Sequence, residues 1–119
     1  ANNQRFREFF KGVEGVQFQT EPNADLYSNF WLTAILINPE LTGGIGREQV
    51  RLEVDAENIE SRPLWKPMHM QPVYEGTKFF GTGVCEQLFE QGLCLPSGSN
   101  LTEEEFDRIF SALTQIFKR

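Results

Sequence analysis

The first fifteen residues place apolar and polar side chains at helical spacing. Apolar residues recur at the i, i+3, i+4 and i+7 positions of one face: Phe6, Phe9, Phe10 and Val13. Asn3 is a residue type that favours the N-cap position, and Gly12 and Gly15 follow the apolar face. The pattern therefore predicts a short amphipathic helix that Asn3 caps and a glycine ends.

The C-terminal segment carries the clearest helical pattern in the chain. Thr102 and Glu105 have the spacing of a capping box, and the acidic run at 103–105 suits a helix N-terminus. Lys118 and Arg119 end the segment, where positive charge opposes the helix dipole. We expect this helix to pack on a sheet through an apolar stripe of Phe106, Ile109, Phe110, Leu113, Ile116 and Phe117.

Four segments have the β-branched, aromatic or alternating composition of strands. They cover residues 16–19, 30–37, 59–64 and 93–96. The second, FWLTAILI, is the longest apolar run, so we expect it to be the central and most buried strand. Proline lacks an amide donor, so the fourth segment, which ends at Pro96, is expected at an edge of the sheet.

Two more helices are predicted between the strands, at residues 47–57 and 84–91, the second ending at Gly92. Their apolar positions are Val50, Leu52, Val54, Leu88 and Phe89. The glycines at 43–46 match neither phosphate-loop motif, which favours a flexible turn. Prolines exclude regular structure from residues 65–72, where we expect an irregular aromatic loop.

The order of these elements predicts an α+β fold, a small and mostly antiparallel sheet with helices packed on it. The 119 residues fit one domain, and neither an internal repeat nor an interior linker divides them. Eleven Phe and two Trp supply volume for its core. Residues 1–119 are therefore expected to form a single domain.

Charge and composition narrow the range of partners. Eleven basic against seventeen acidic residues give a net charge of −6, and the basic residues are scattered, so no nucleic-acid partner is expected. The longest apolar run is far shorter than the ~20 residues that span a bilayer, so no membrane partner is expected. With no visible secretion signal and no disulfide framework, we expect a cytoplasmic protein.

The chain offers few groups for nucleophilic or metal chemistry. Cys85 and Cys94 lie nine residues apart without clustered histidines, which favours reduced core thiols over a disulfide or a zinc site. A Cys/His pair is open in principle, but both thiols flank apolar residues, as core cysteines do. His69 is the one histidine, and no GxSxG elbow accompanies it. We therefore expect neither a Ser/His/Asp triad nor a metal site.

One loop concentrates the groups that an anion needs. Arg62, Trp65, Lys66 and His69 lie within eight residues of a segment that prolines stiffen. Arg forks onto phosphate, Lys adds a point charge, and Trp offers a flat face to a sugar or base. The alternative is a loop whose Trp65 belongs to the core and whose charges are solvated. The residues alone leave both interpretations open.

Longer runs carry a family resemblance. Residues 57–72, ENIESRPLWKPMHMQP, resemble the C-terminal part of the DegT/StrS family of sugar aminotransferases. The same holds for SNFWLT at 28–33, for the helix that begins at Arg47, and for residues 85–104. The match covers nearly the whole chain in order, and a sixteen-residue run is far more specific than a single glycine motif.

The resemblance implies one lobe of a larger enzyme. Family members are similar to the fold-type I pyridoxal phosphate aminotransferases, in which a large domain holds the cofactor and a small C-terminal α+β domain closes over it. Residues 1–119 resemble that small domain alone. The chain has four lysines, Lys11, Lys66, Lys78 and Lys118. None of them lies in a motif that matches the family's Schiff-base lysine. The resemblance therefore implies no catalytic residue and no bound pyridoxal phosphate in this chain by itself.

By resemblance, the parent enzyme moves an amino group, with glutamate as expected donor, onto a keto group of a nucleotide-linked sugar in amino-sugar and surface polysaccharide biosynthesis. The missing large domain and a second subunit of a homodimer are the implied partners. Arg62, Lys66 and His69 are then polar contacts near the active-site mouth, and Trp65 is its wall. The alternative hypothesis is a free-standing binding or regulatory module that uses this loop for an anionic ligand or a partner protein.

Overall fold

Four strands form one antiparallel sheet in the computed structural model, which describes residues 2–118. In chain order the strands are β1 (Val16–Phe18), β2 (Thr33–Ile37), β3 (Arg62–Pro63) and β4 (Gly92–Leu95). Their order across the sheet is β1-β2-β4-β3, and each neighbouring pair is antiparallel. The predicted α+β class is confirmed.

Four α-helices surround the sheet in chain order, and each corresponds to a predicted one. They are α1 (Asn2–Phe9), α2 (Arg47–Ala56), α3 (Val84–Gln91) and α4 (Glu103–Phe117). Two short 3-10 turns, Met68–Met70 and Pro72–Tyr74, lie in the proline-rich loop. None of the helices within residues 2–118 has the length and apolar content that a membrane crossing requires.

The predicted capping box at the start of α4 is present. The Thr102 amide donates to a Glu105 carboxylate oxygen at 2.7 Å, and the Glu105 amide donates to Thr102 Oγ1 at 3.3 Å. The side chain and the backbone thus satisfy amides that the helix itself leaves unpaired. At the other end Lys118 adopts a left-handed conformation, with φ 51°, and its amide donates to the Thr114 carbonyl.

The core lies where α1, α2 and α4 meet the sheet. The apolar stripe of α4 shares one buried cluster with both interior strands, as predicted. Phenylalanine rings join α1 to α4, with Phe9 stacked on Phe110 at a centroid distance of 4.8 Å. The most deeply buried large side chains are Phe6, Phe106, Ile35, Ile37, Leu93 and Leu113. Both tryptophans are exposed, so the prediction that they supply core volume is wrong.

Two predictions about the interior strands are wrong. β2 begins at Thr33, because Phe30 takes a left-handed conformation with φ 51° and its amide donates to Ser28 Oγ at 3.1 Å. Residues 30–32 therefore precede the strand, although β2 is interior as expected. β4 is interior rather than at an edge, since β2 and β3 pair with its two sides. All four of its residues are buried, so β4 is the most buried strand.

The predicted strand at 59–64 and the predicted N-cap of α1 also change. Within this segment only Arg62–Pro63 is a strand, at the edge beside β4, and the Leu64 amide adds one hydrogen bond to the Gly92 carbonyl. Asn3 lies inside α1, where it is buried and its Oδ1 accepts a hydrogen bond from Arg7 Nε at 2.7 Å. The predicted dipole contribution of Arg119 lies outside the described residues.

Candidate functional site

A cleft of about 1000 Å³ opens beside the edge of the sheet that β3 forms. Residues 58–66, residues 94–98 and the first half of α4 line it. Its apolar lining includes Leu64, Leu95, Pro96, Leu101 and Ile109. Charged groups from both sides join this apolar surface, which is the composition expected of a ligand site.

Three of the four predicted site residues line this cleft. They are Arg62, Trp65 and Lys66. His69 instead lines a second cavity, of about 370 Å³, together with Phe79 and Cys85. The 3-10 turn that follows Pro67 carries the chain from one cavity to the other. The structure therefore divides the predicted cluster into two sites.

Trp65 is not a core residue, so the part of the alternative that placed it in the core is wrong, whereas its other part, solvated charges, agrees with the exposed Arg62 and Lys66. The Trp65 side chain is 71% exposed beside the cleft. An exposed indole is available to pack against a sugar or a base. Lys66 is exposed next to it.

Arg62 carries its own counter-ion. Its Nε donates to Glu60 Oε1 at 2.6 Å, and both side chains are largely exposed. Water screens such a surface pair, so the attraction between the two groups is weak. An incoming phosphate or carboxylate can therefore replace Glu60 as the acceptor.

Sequence reasoning missed several polar residues of the cleft, among them Arg108 and Ser61. Arg108, on α4, lines the cleft and donates from Nη2 to the Glu57 carbonyl at 2.9 Å. Ser61 Oγ is buried and has no hydrogen-bond partner among the described residues. A buried hydroxyl without a hydrogen-bond partner costs free energy. In the sequence, the one sign that Arg108 lies near the cleft is its position directly before Ile109, a residue of the apolar stripe that also lines the cleft.

Beside the second cavity, His69 meets Cys85 and Glu86, which are adjacent in the first turn of α3. His69 Nε2 donates to Glu86 Oε1 at 2.8 Å, and the Cys85 thiol donates to Glu86 Oε2 at 3.0 Å. The imidazole stacks on Phe79 with a centroid distance of 3.7 Å. The prediction of a core thiol is wrong for Cys85, which is exposed, and correct for Cys94, which is buried in β4.

Hydrogen bonds shift the pKa values of Glu86 and Cys85 in opposite directions. The Cys85 hydrogen bond, the backbone amide of Glu86 and His69 lower the pKa of the Glu86 carboxyl. The same bond to Glu86, with burial and the carboxylate charge, raises the pKa of the Cys85 thiol. The cluster therefore holds a carboxylate between two donors, and the thiol keeps its proton at neutral pH.

Comparison with known proteins identifies relatives of the whole chain. The model of the DegT/DnrJ/EryC1/StrS aminotransferase family matches residues 1–114. EpsN of Bacillus subtilis (strain 168), a provisionally assigned pyridoxal phosphate-dependent aminotransferase, is 40% identical over 117 residues. That match covers 95% of this chain and 29% of EpsN. GDP-perosamine synthase of Caulobacter vibrioides is 34% identical over 99 residues, which cover 82% of this chain and 26% of that enzyme.

Solved structures share the fold. DesI, determined in the presence of its TDP-sugar product, matches 99% of this chain with a TM-score of 0.83 and 24% identity. A DegT DnrJ EryC1 StrS aminotransferase from Brucella abortus matches 98% with a TM-score of 0.73 and 25% identity. In both cases the match covers 30% of the solved chain. The sequence thus spans less than a third of the length of the relatives that it matches.

Proposed function

Because the chain belongs to the DegT/DnrJ/EryC1/StrS aminotransferase family, we propose that residues 1–119 are the C-terminal domain of a pyridoxal phosphate-dependent aminotransferase. One observation carries the proposal: a family match over residues 1–114 in a chain that spans about 30% of its relatives. In this proposal, the rest of the parent protein contains the large cofactor-binding domain. The chain is then one lobe of an enzyme and is inactive alone.

The names of the relatives support a nucleotide-linked sugar as the parent's substrate. One relative is a GDP-perosamine synthase, and DesI was determined with a TDP-sugar product. The proposed reaction converts a nucleotide-linked keto sugar and glutamate into the amino sugar and 2-oxoglutarate. Pyridoxal phosphate, when bound by the parent, supplies the electron sink for this exchange. The role in surface polysaccharide biosynthesis, the glutamate donor and a cytoplasmic location stay predictions.

The lysines of this chain do not fit covalent attachment of the cofactor. Lys11, Lys66, Lys78 and Lys118 are all exposed. A Schiff-base lysine needs a desolvated pocket, or a neighbouring cation, that favours its neutral amine. This mismatch supports the proposal that the reactive lysine lies in the large domain. We therefore assign no step of the reaction to an amine of residues 1–119.

The cleft is the proposed contribution of this domain to substrate binding. Arg62 and Lys66 would bind anionic oxygens of the substrate, and Trp65 would lie against its sugar or base. Arg108 adds a third cation to the same lining. His69 lines the second cavity, so we propose that it is a polar contact at the active-site mouth, farther from the substrate than the cleft residues.

Exposed apolar side chains support a missing neighbour. Phe80 is 89% exposed, Tyr27 88% and Val73 78%. Most of the exposed large apolar residues of the described chain lie within 26–31 and 65–88. Apolar area of this kind is typical of surfaces that another protein body covers. We propose that the large domain and the second subunit of a homodimer cover apolar side chains of these two segments, such as Tyr27, Val73 and Phe80, and leave the cleft and the second cavity open.

The test of the proposed function uses the protein translated from the complete gene. We expect it to aminate one or more members of a panel of nucleotide-linked keto sugars, with glutamate consumed in equal amount. R62Q and K66Q should each raise the KM for the sugar about tenfold, because each removes a charged hydrogen bond to an anion. The matched control is R51Q, since Arg51 pairs with Glu48 on α2, outside the cleft. An unchanged KM in both cleft variants would contradict the assignment of the cleft.

The alternative, a free-standing binding module, predicts a different gene structure. A complete gene that begins near residue 1 and encodes no large domain would overturn the enzyme proposal. The cleft would then be the candidate site for an anionic ligand.

A further inference from the structure

Three side chains able to bind a metal meet beside the second cavity, outside the cleft. His69 comes from the 3-10 turn Met68–Met70, whereas Cys85 and Glu86 come from the first turn of α3. One ligand atom of each lies within 4.8 Å of the other two. We propose that these three residues form a binding site for a divalent cation of the Zn²⁺ type.

The geometry on α3 is unusual for adjacent residues. Neighbouring positions of a helix do not face each other. Nevertheless, Glu86 Oε2 lies 3.0 Å from Cys85 Sγ, while Glu86 Oε1 lies 2.8 Å from His69 Nε2. A tetrahedral ion with bonds of about 2.0 to 2.3 Å holds its ligand atoms about 3.3 to 3.8 Å apart. A cation can therefore enter after small side-chain movements, with the backbone unchanged.

The donor atoms select the metal. An imidazole nitrogen, a thiolate sulfur and a carboxylate oxygen are ligands of Zn²⁺, whereas Mg²⁺ and Ca²⁺ require oxygen. Binding replaces the thiol proton of Cys85, which passes to solvent. The thiolate and the carboxylate then balance the two positive charges of the ion. Three protein ligands leave a fourth position for water.

The surroundings hold the histidine in place. The Phe79 ring stacks on the imidazole at an interplanar angle of 21°. The 3-10 turn is closed by hydrogen bonds from the Met70 amide to Pro67 and from the Gln71 amide to Met68, both 3.0 Å. The His69 and Glu86 side chains are 20% and 32% exposed, so two ligands are partly desolvated while Cys85 gives the ion access from solvent. A bound ion would tie the proline-rich loop to α3.

The test is a titration of the reduced, metal-free 119-residue chain with Co²⁺, which replaces Zn²⁺ and has a visible spectrum. We expect a thiolate-to-cobalt charge-transfer band and strong d–d bands that saturate at one equivalent. Added Zn²⁺ should abolish both. The absence of a charge-transfer band in the unmodified chain would overturn the proposal.

Variants separate this site from other thiol chemistry. C85S should abolish the charge-transfer band, and H69Q and E86Q should each weaken Co²⁺ binding about tenfold or more, as losses around a metal site do. C94S is the matched control, because Cys94 is buried in β4, and it should keep the full spectrum. A band that survives C85S, or one that C94S removes, would contradict the site. The titration needs neither cofactor nor sugar, so its failure leaves the aminotransferase proposal standing.

Discussion

At the scale of single residues, burial and hydrogen-bond partners decide what each side chain contributes. The Arg62, Trp65, Lys66 and His69 cluster was identified from residue type and spacing, and three of its members do share a cleft. The position of His69 depends on its hydrogen bond to Glu86, seventeen residues later in the chain. No local sequence pattern indicates that these two side chains meet. The exposure of Cys85 was missed for the same reason, since its apolar neighbours in sequence do not cover it.

Burial decides what one phenylalanine contributes to stability. Phe6 is fully buried and packs on Phe106 and Phe110, whereas Phe80 is 89% exposed. We expect F6A to lower the free energy of unfolding by about 3 to 5 kcal/mol, because it removes apolar contacts and leaves a cavity. F80A, the same change at the surface, should alter it by less than about 0.5 kcal/mol. Urea unfolding of the isolated chain measures both, and equal losses would contradict the described core.

At the scale of elements, helices were easier to predict than strands. The start of α4 follows from Thr102 and Glu105, which act on their own turn. The interior place of β4 depends instead on β3, a two-residue strand about thirty positions earlier. Strand order is a non-local property, so the composition of residues 93–96 could not reveal it. The Phe30 and Trp31 amides donate hydrogen bonds to the side chains of Ser28 and Asn29, and these bonds set the start of β2, which its apolar pattern could not show.

The capping box makes the stability of α4 depend on pH. Hydrogen bonds from Thr102 lower the pKa of the Glu105 carboxyl, and Arg5 lowers that of Glu103. Because the folded pKa values lie below the unfolded one, near about 4.3, these carboxylates stabilise the fold above that pH. Their contribution is lost as the pH falls through the folded values.

We therefore expect the urea midpoint to fall on acidification below about pH 4.3. T102A should lower the free energy of unfolding by about 1 kcal/mol at pH 7, and its difference from the unmodified chain should shrink in acid. The exposed Thr20 provides the control variant T20A, which should leave the midpoint unchanged. A T102A difference that stays constant down to pH 2 would contradict the role of the capping box.

At the scale of the whole molecule, the chain is more extended than an independent domain of its length. Its radius of gyration is 15.5 Å, against about 13.5 Å for a compact domain of 119 residues. Residues 65–83, between β3 and α3, contain no strand and expose many apolar side chains. This shape supports a lobe that packs against a larger body. The sequence run at 57–72 implies that the chain is a lobe of a larger enzyme, because a long and specific run identifies a family. The run does not show which residues contact the rest of that enzyme.

The central claim is that the reactive lysine belongs to a domain outside residues 1–119. The most direct measurement loads the protein from the complete gene with pyridoxal phosphate, reduces it with borohydride and maps the modified peptide by mass spectrometry. We predict one modified lysine, located before residue 1, and no modification of the 119-residue chain treated alone. A stoichiometric label on Lys11, Lys66, Lys78 or Lys118 would contradict the account.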